Sequence, residues 1–220
     1  MNNSIKHNGD KMVYLDYEKQ QQALGFEHIC GVDEAGRGSL CGPVVVSCVE
    51  MPLKTEFIID GVDDSKKLSE KKRNQLYLKI IKCAIDYKIA VVDNFIIDDI
   101  NILEATKLGM RDVINSMSNI DIALIDAVKL EGIKCQSLSI IHGDANSYSI
   151  AAASILAKVT RDKMMVEFDK LYNGYGFAKN KGYGTKEHIA KIAELGLCPI
   201  HRITFTKKFV KNNENIVINK

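Results

Sequence analysis

Two rhythms of apolar and polar positions run along this chain. Short β-branched runs bounded by Gly, Asp or Pro predict strands, and stretches with apolar residues three and four apart predict helices. Residues 28–34 (HICGVDE) predict a strand entering a glycine-rich turn. Residues 43–50 (PVVVSCVE) predict a second strand, spaced to be its antiparallel neighbour. After the polar loop 63–67 (DDSKK), Ser69 caps a helix predicted to reach about Ala84, with Glu70 in its first turn. A third strand is predicted over 87–93 (YKIAVVD). A helix then starts at Asp98 or Asp99 and presents Ile102, Ala105, Leu108 and Val113 on its apolar face. Strands over 122–127 (IALIDA) and 138–142 follow, and a long helix begins near Ser147. A glycine-rich segment, GYGFAKNKGYGT, precedes a last helix, KEHIAKIAEL, that ends at Gly196. The first 25 or so residues predict a polar helix with Tyr14, Tyr17 and Leu24 as docking points. Three β segments followed by helix–β–β–helix elements imply a mixed sheet flanked by helices. No repeat or Pro/Gly/Ser linker divides the chain, so one domain is the simplest reading.

Composition changes this picture little, but charge placement does. Net charge is only +2 over 220 residues. From Phe177 onward there are nine Lys or Arg and three Glu, a balance of +6, which leaves −4 on residues 1–176. An acidic body beside a basic C-terminal segment suits a metal site next to a phosphate-binding surface, and equally a solvated lysine-rich tail. The polar N-terminus lacks a signal-peptide core, and no apolar run reaches the roughly 18–20 residues that span a bilayer. The expectation is a cytoplasmic protein without membrane contact. Six cysteines show neither CxxC nor zinc-finger spacing and read as reduced, buried small hydrophobes.

Four acids stand where strands end or turn: Asp33, Glu34, Asp126 and Asp144. A charge beside a run as apolar as Ile122–Ala123–Leu124–Ile125 is costly to bury unless it is paired or bound to metal. Hard divalent cations take oxygen ligands, and two ions about 3.5–4 Å apart can drive phosphodiester cleavage. Successive strand residues face opposite sides, so Asp33 and Glu34 share a site only if the strand twists, bulges or ends there. Taken alone, Asp144 also suits a helix cap, and Asp126 a salt bridge at a strand end. The Gly36–Arg37–Gly38 triplet can bring backbone N–H groups and a guanidinium close to phosphate or sugar.

The longer stretch around that triplet is more specific. GVDEAGRGSLCGPVVV (31–46) resembles the signature of the ribonuclease HII family. DSKKLSEKKR (64–73), NILEAT (101–106), GDANSYSIAAASILAKVTRD (143–162), KGYGTKEH (181–188) and HRITF (201–205) fit the same family in order. The resemblance implies a ribonuclease H-like α/β fold. Its mixed sheet would have three antiparallel strands first and parallel strands after, flanked by helices, with a helical C-terminal part. It implies a catalytic domain over 27–206, between a polar extension (1–26) and a basic tail (207–220). Asp33, Glu34, Asp126 and Asp144 would be the catalytic acids and would bind Mg²⁺ or Mn²⁺. Gly36, Arg37 and Gly38 would sense the 2′-hydroxyl at an RNA–DNA junction, and Tyr183 would pack on the next deoxyribose. Lys66, Lys67, Lys181 and Arg202 are candidates for phosphate contacts. The implied reaction is hydrolysis on the 5′ side of ribonucleotides, in RNA–DNA hybrids and at single ribonucleotides in duplex DNA. It would leave a 3′-hydroxyl and a 5′-phosphate. A monomer is the default.

The chain departs from the family pattern at Ser39, Cys41, Ala127–Val128, His142 and Asn146. Three rival readings remain. The sister family ribonuclease HIII generally lacks the GRG triplet. A non-catalytic binder would not need all four acids. A general DNA nuclease of the same fold would not need the GRG and KGYGT segments.

Overall fold

The computed structural model describes residues 15–210. Five strands form one sheet: β1 (Ile29–Ala35), β2 (Val44–Glu50), β3 (Asp86–Val92), β4 (Ile122–Asp126) and β5 (Gln136–Ile140). Their order is β3-β2-β1-β4-β5. β1 and β2, and β2 and β3, pair antiparallel, while β1 with β4 and β4 with β5 pair parallel. The expected mixed sheet, antiparallel first and parallel after, is therefore present.

The helices are α1 (Asp16–Ala23), α2 (Glu70–Cys83), α3 (Asn94–Ile100), α4 (Ile102–Asn115), α5 (Gly143–Asn146), α6 (Tyr148–Leu171), α7 (Phe177–Asn180), α8 (Lys186–Leu195) and α9 (Ile203–Thr206). Strand alternation sorts the sheet into two faces. Cys30 and Val32 of β1, with Val46 and Cys48 of β2, meet Met110, Val113 and Ile114 of α4. On the other face Val49 and Met51 meet Leu76 and Ile80 of α2 and the Ala151–Ala152–Ala153 run of α6. Truncating a buried side chain such as Ile80 to Ala would cost about 2–5 kcal/mol. The helix α6 approaches β1 so closely that a Cβ on Gly31 would lie 2.0 Å from the Ser149 carbonyl carbon. That contact leaves glycine as the residue that fits and fixes α6 against the strand carrying Asp33.

Local chemistry sets the ends. The Ser69 hydroxyl accepts from the Lys72 amide, as the cap reading requires, and Ser147 and Thr185 cap α6 and α8 in the same way. One predicted helix is two. Asp93 ends β3 one residue early because its carboxylate caps α3 at the Ile96 amide. Asn101, at φ 67°, breaks the run and caps α4 by accepting from the Leu103 and Glu104 amides. Leu108 is correspondingly exposed, while Gly109 and Met110 face the sheet.

The N-terminal helix also docks differently from expectation. Tyr14 lies outside the described residues, Leu24 is exposed, and only Tyr17 packs on the core. The anchors are Leu15 and a wholly buried carboxylate, Glu18. Glu18 Oε1 accepts from the Ser147 hydroxyl at 2.6 Å and the Ser149 amide at 2.9 Å. The acid thus sits at the N-terminus of α6, where helix amides lack partners and the dipole favours an anion. Periodicity misses it because a buried acid reads as a surface residue. Of the cysteines, Cys30, Cys41 and Cys48 are buried, but Cys83 is exposed and Cys135 and Cys198 are half-buried.

Candidate active site

Strands β1 and β4 part at their carboxyl ends, where open α/β sheets present ligand sites. Their pairing stops at Val32 opposite Ile125, just before Asp33 and Asp126. β1 continues in register against β2 as far as Ala35 opposite Val45. Asp33 and Glu34 therefore share the opening without a bulge: the neighbouring strand ends beside them. Asp126 is the last residue of β4, and its Oδ1 accepts from the Gly143 amide at 2.7 Å, which ties the strand end to α5. Asp144 follows on α5 and is buried.

These acids bear on one another electrostatically. Burial pushes the Asp33 carboxyl well up, and the charges of Glu34, Asp126 and Asp144 push it further. Burial raises Glu34 too; Arg37 partly offsets this, and the charge of Asp126 adds to it. Asp126 is raised by burial and by Asp144, against the Gly143 amide. Countercharge nearby is limited. Lys66 Nζ lies 3.0 Å from Asp144 Oδ2, and Arg37 Nη1 lies 3.4 Å from Glu34 Oε1. Glu34 Oε2 is buried and has no hydrogen-bond partner. An all-oxygen cluster under mutual repulsion, with an orphaned carboxylate oxygen, fits a hard divalent cation.

The second half of the site is the loop after β1. Arg37 and Gly38 are exposed at its tip, while Gly36, Ser39 and Leu40 are buried. Gly36 sits at φ 98°, and a Cβ there would lie 2.1 Å from Arg161 Nε. Across from the loop, Leu40 N donates to Gly182 O at 2.8 Å, and Cys41 bridges to His201. The ring of Tyr183 is partly exposed, with Lys158 Nζ and the Arg161 guanidinium each 5.5 Å from its centroid. Lys66 and Lys67 are exposed and Lys181 is half-buried. Arg202 departs from expectation. It has no exposed surface, and its donors go to the carbonyls of Gly36, Arg37 and Gly42, so its guanidinium cannot reach a phosphate outside.

A model of the ribonuclease HII family matches residues 30–208. The chain belongs to the ribonuclease HII family. It is 50% identical over 198 residues to the ribonuclease HII of Ruminiclostridium cellulolyticum, covering 90% of this chain and 77% of that protein. It is 51% identical over 196 residues to that of Caldanaerobacter subterraneus subsp. tengcongensis, covering 89% and 80%. Among solved structures it is similar to the ribonuclease H2 of Pyrococcus horikoshii, at 27% identity and a TM-score of 0.72, covering 84% of this chain and all of that one. As a family member it is a ribonuclease H-type endoribonuclease.

Several residues that build this candidate site give no sign of it in the sequence. Arg161 is wholly buried and joins the Gly36 loop to the Tyr183 turn. Arg73 on α2 donates to Ser65 O and Leu68 O around Lys66 and Lys67, and lies 3.7 Å from Asp162. Asp162 also pairs with Lys158 at 2.7 Å. All four lie within the matching blocks, yet nothing in their spacing says that they face inward. The ligand atoms of Cys41, His188 and His201 lie within 4.8 Å of one another. Hydrogen bonds account for the two rings. His188 Nδ1 donates to Tyr183 O, and His201 Nδ1 accepts from the Cys198 amide. His201 Nε2 is then the donor to His188 Nε2 at 3.1 Å. Burial lowers both, and His188 helps push His201 down to about 4. The pair is neutral and structural.

Two departures from the family pattern have visible local effects. Ala127, where the family commonly has glycine, adopts φ 48° beside Asp126. Asn146 turns its amide back onto His142 O at 2.8 Å rather than toward Asp144.

Proposed function

We propose that this chain hydrolyses the phosphodiester on the 5′ side of ribonucleotides, both within RNA–DNA hybrids and at single ribonucleotides in duplex DNA. The observation that carries this reading is the adjacency of two units on one strand. Asp33 and Glu34 lie just before the last residue of β1, and the exposed Arg37–Gly38 tip follows within a few residues, in a loop held against the Tyr183 turn. On this reading, chemistry and recognition are supplied by neighbouring stretches of the chain.

Asp33, Glu34, Asp126 and Asp144 would hold Mg²⁺ or Mn²⁺. When bound, the metal supplies Lewis-acid activation of water and of the leaving oxygen. The protein's own residues do the rest. The loop amides and the Arg37 guanidinium approach the 2′-hydroxyl, the group that distinguishes RNA from DNA. Tyr183 offers a ring face to the following sugar, which lacks that hydroxyl in a junction. Lys66 and Lys181 contact phosphates and set the register without reading sequence. The carboxylate cluster orients the attacking water in line with the 3′-oxygen that leaves. Water forms the new P–O bond, the P–O3′ bond breaks, and the proton ends on O3′, giving a 3′-hydroxyl and a 5′-phosphate.

The catalytic unit is read as residues 27–206, with 1–26 an extension and 207–220 a basic tail. The chain is read as a cytoplasmic monomer. No helix among the described residues is long and apolar enough to cross a membrane.

The test offers the purified protein a duplex with one embedded ribonucleotide, beside an all-DNA control, with Mg²⁺, with Mn²⁺ and with chelator. A cut 5′ of the ribonucleotide, absent from the DNA and chelator arms, is expected. Cutting only within longer hybrids would overturn the single-ribonucleotide part of the proposal.

A further inference from the structure

Two guanidiniums lie inside the protein behind the recognition loop. Arg161, on α6, and Arg202, at the start of α9, are both wholly buried. Among the described residues neither forms an ion pair with a carboxylate within 4 Å. Burying a charge without countercharge is costly, so each donor must find an acceptor. They find backbone. Arg202 Nη2 donates to Gly36 O at 2.8 Å, Nη1 to Arg37 O at 2.9 Å and Nε to Gly42 O at 3.0 Å. Arg161 Nε donates to Pro43 O at 2.9 Å, and Nη2 to Ser39 Oγ at 2.7 Å and Cys41 O at 3.0 Å. Its remaining donor, Nη1, crosses to Lys181 O at 2.8 Å, two residues before Tyr183.

Nearly every turn of the loop between β1 and β2 is thus read by one of the two forks. The planar guanidinium suits this because it holds its donors in a fixed pattern, which an ammonium on a flexible stem does not. Burial pushes both side chains down, Arg202 to about 10, and a guanidinium stays protonated in proteins. Of the loop's own side chains, Ser39 bonds within it, its hydroxyl lying 2.9 Å from Gly36 O and 3.1 Å from Cys41 O, while the glycines offer no side-chain bond and the exposed Arg37 bonds to Glu34 at 3.4 Å.

We propose that Arg161 and Arg202 are positioning residues for junction recognition: they shape the Gly36–Gly38 loop and hold it at a set distance from Tyr183. The inference rests on the function proposed above and deepens it. It predicts that substrate choice depends on two residues that touch no substrate, while cation binding at the acids does not.

The experiment uses the full chain with Arg202→Lys and Arg161→Lys. Each is assayed on a duplex with one embedded ribonucleotide and on a long RNA–DNA hybrid, and divalent-ion affinity is measured without substrate. We expect KM for the single-ribonucleotide duplex to rise by about tenfold, with kcat changing less. The ratio of kcat/KM between the two substrates should fall by about the same factor, and Mn²⁺ affinity should stay within about twofold. Amide exchange should quicken over residues 36–42 and not in β1. An unchanged ratio, or a loss that tracks weakened Mn²⁺ binding, would overturn the inference. If one lysine variant fails to fold, the other is read alone on the same two substrates. A fall in the same ratio supports the proposal, and no fall refutes it. Failure of the unmodified protein to cut the single-ribonucleotide duplex sinks the function itself. Cutting by the unmodified protein, with unaltered discrimination in the variants, sinks only this inference.

Discussion

The two halves of the site are built on opposite principles. At the open end of the sheet, buried carboxylates repel one another, and Glu34 Oε2 has no partner. A few residues away, the recognition loop is a region where buried polar groups are matched donor to acceptor by Arg161 and Arg202. The first region carries unrelieved repulsion, which the cation proposed above would relieve. The second is preorganised, so little ordering remains to be done when substrate docks. The difference is that one strand end carries mutually repelling acids while the loop leaving it has its carbonyls matched to buried donors.

The hardest blow to this comparison would come from Asp33→Asn. Activity should fall by more than about 100-fold, because a first-rank oxygen ligand is lost. Yet without metal the variant should melt a few degrees higher, roughly 2–4 °C, since a repelled buried charge is gone. A metal-free melting temperature that falls would mean the acids are not under strain.

Acid should separate the regions next. The folded-state pKa of His201 is depressed to about 4 from an ordinary value near 6.5. Its contribution is complete above pH 6.5 and is lost as pH falls towards 4, a loss of up to about 3 kcal/mol. Asp33, Glu34 and Asp126 have raised pKa values, so their contribution runs the other way: it is present at low pH and lost as pH rises through the folded value. Urea unfolding of metal-free protein against pH should therefore show a smaller acid loss than His201 alone would give. Asp33→Asn should steepen that loss and His201→Gln should flatten it. If neither variant alters the slope, the assignment of opposing contributions fails.

Glu18 provides a smaller test in a third place. Burial raises its pKa, against the Ser147 and Ser149 hydrogen bonds, so the ionised form is disfavoured and stability is lost as pH rises through the folded value. Glu18→Gln keeps one acceptor and removes the charge. It should leave stability at neutral pH equal or higher by about 1 kcal/mol and flatten its dependence on pH. A loss of several kcal/mol would show that α6 needs the anion. The smallest effect is expected at Ala127, whose left-handed backbone beside Asp126 suits glycine. Ala127→Gly should stabilise by about 1 kcal/mol, read as a small rise in denaturation midpoint.

Much of this was legible because it is local. Ser69 announces its cap, Ser147 the start of the long helix and the β-branched run 43–50 a strand, since those signals depend on neighbours a few residues away. The split at Asn101 was less visible because helical periodicity continues across it, while only the backbone dihedral breaks. The acids stand out in the sequence where strands end or turn, but their sharing of one opening depends on where β4 stops relative to β1. Charge alone predicts a surface base at Arg202, and only its burial reverses that role.

The amino-acid sequence by itself determined the family, the element types and the identities of the candidate acids and loop, because these are carried by residue type and short-range spacing. Tertiary structure decided which charges face inward, which carbonyls the arginines hold, and that Glu18 caps α6 from the far end of the described chain. Those pairings join residues up to 166 positions apart, as between Arg202 and Gly36, and such contacts exist only once the sheet and α6 have packed.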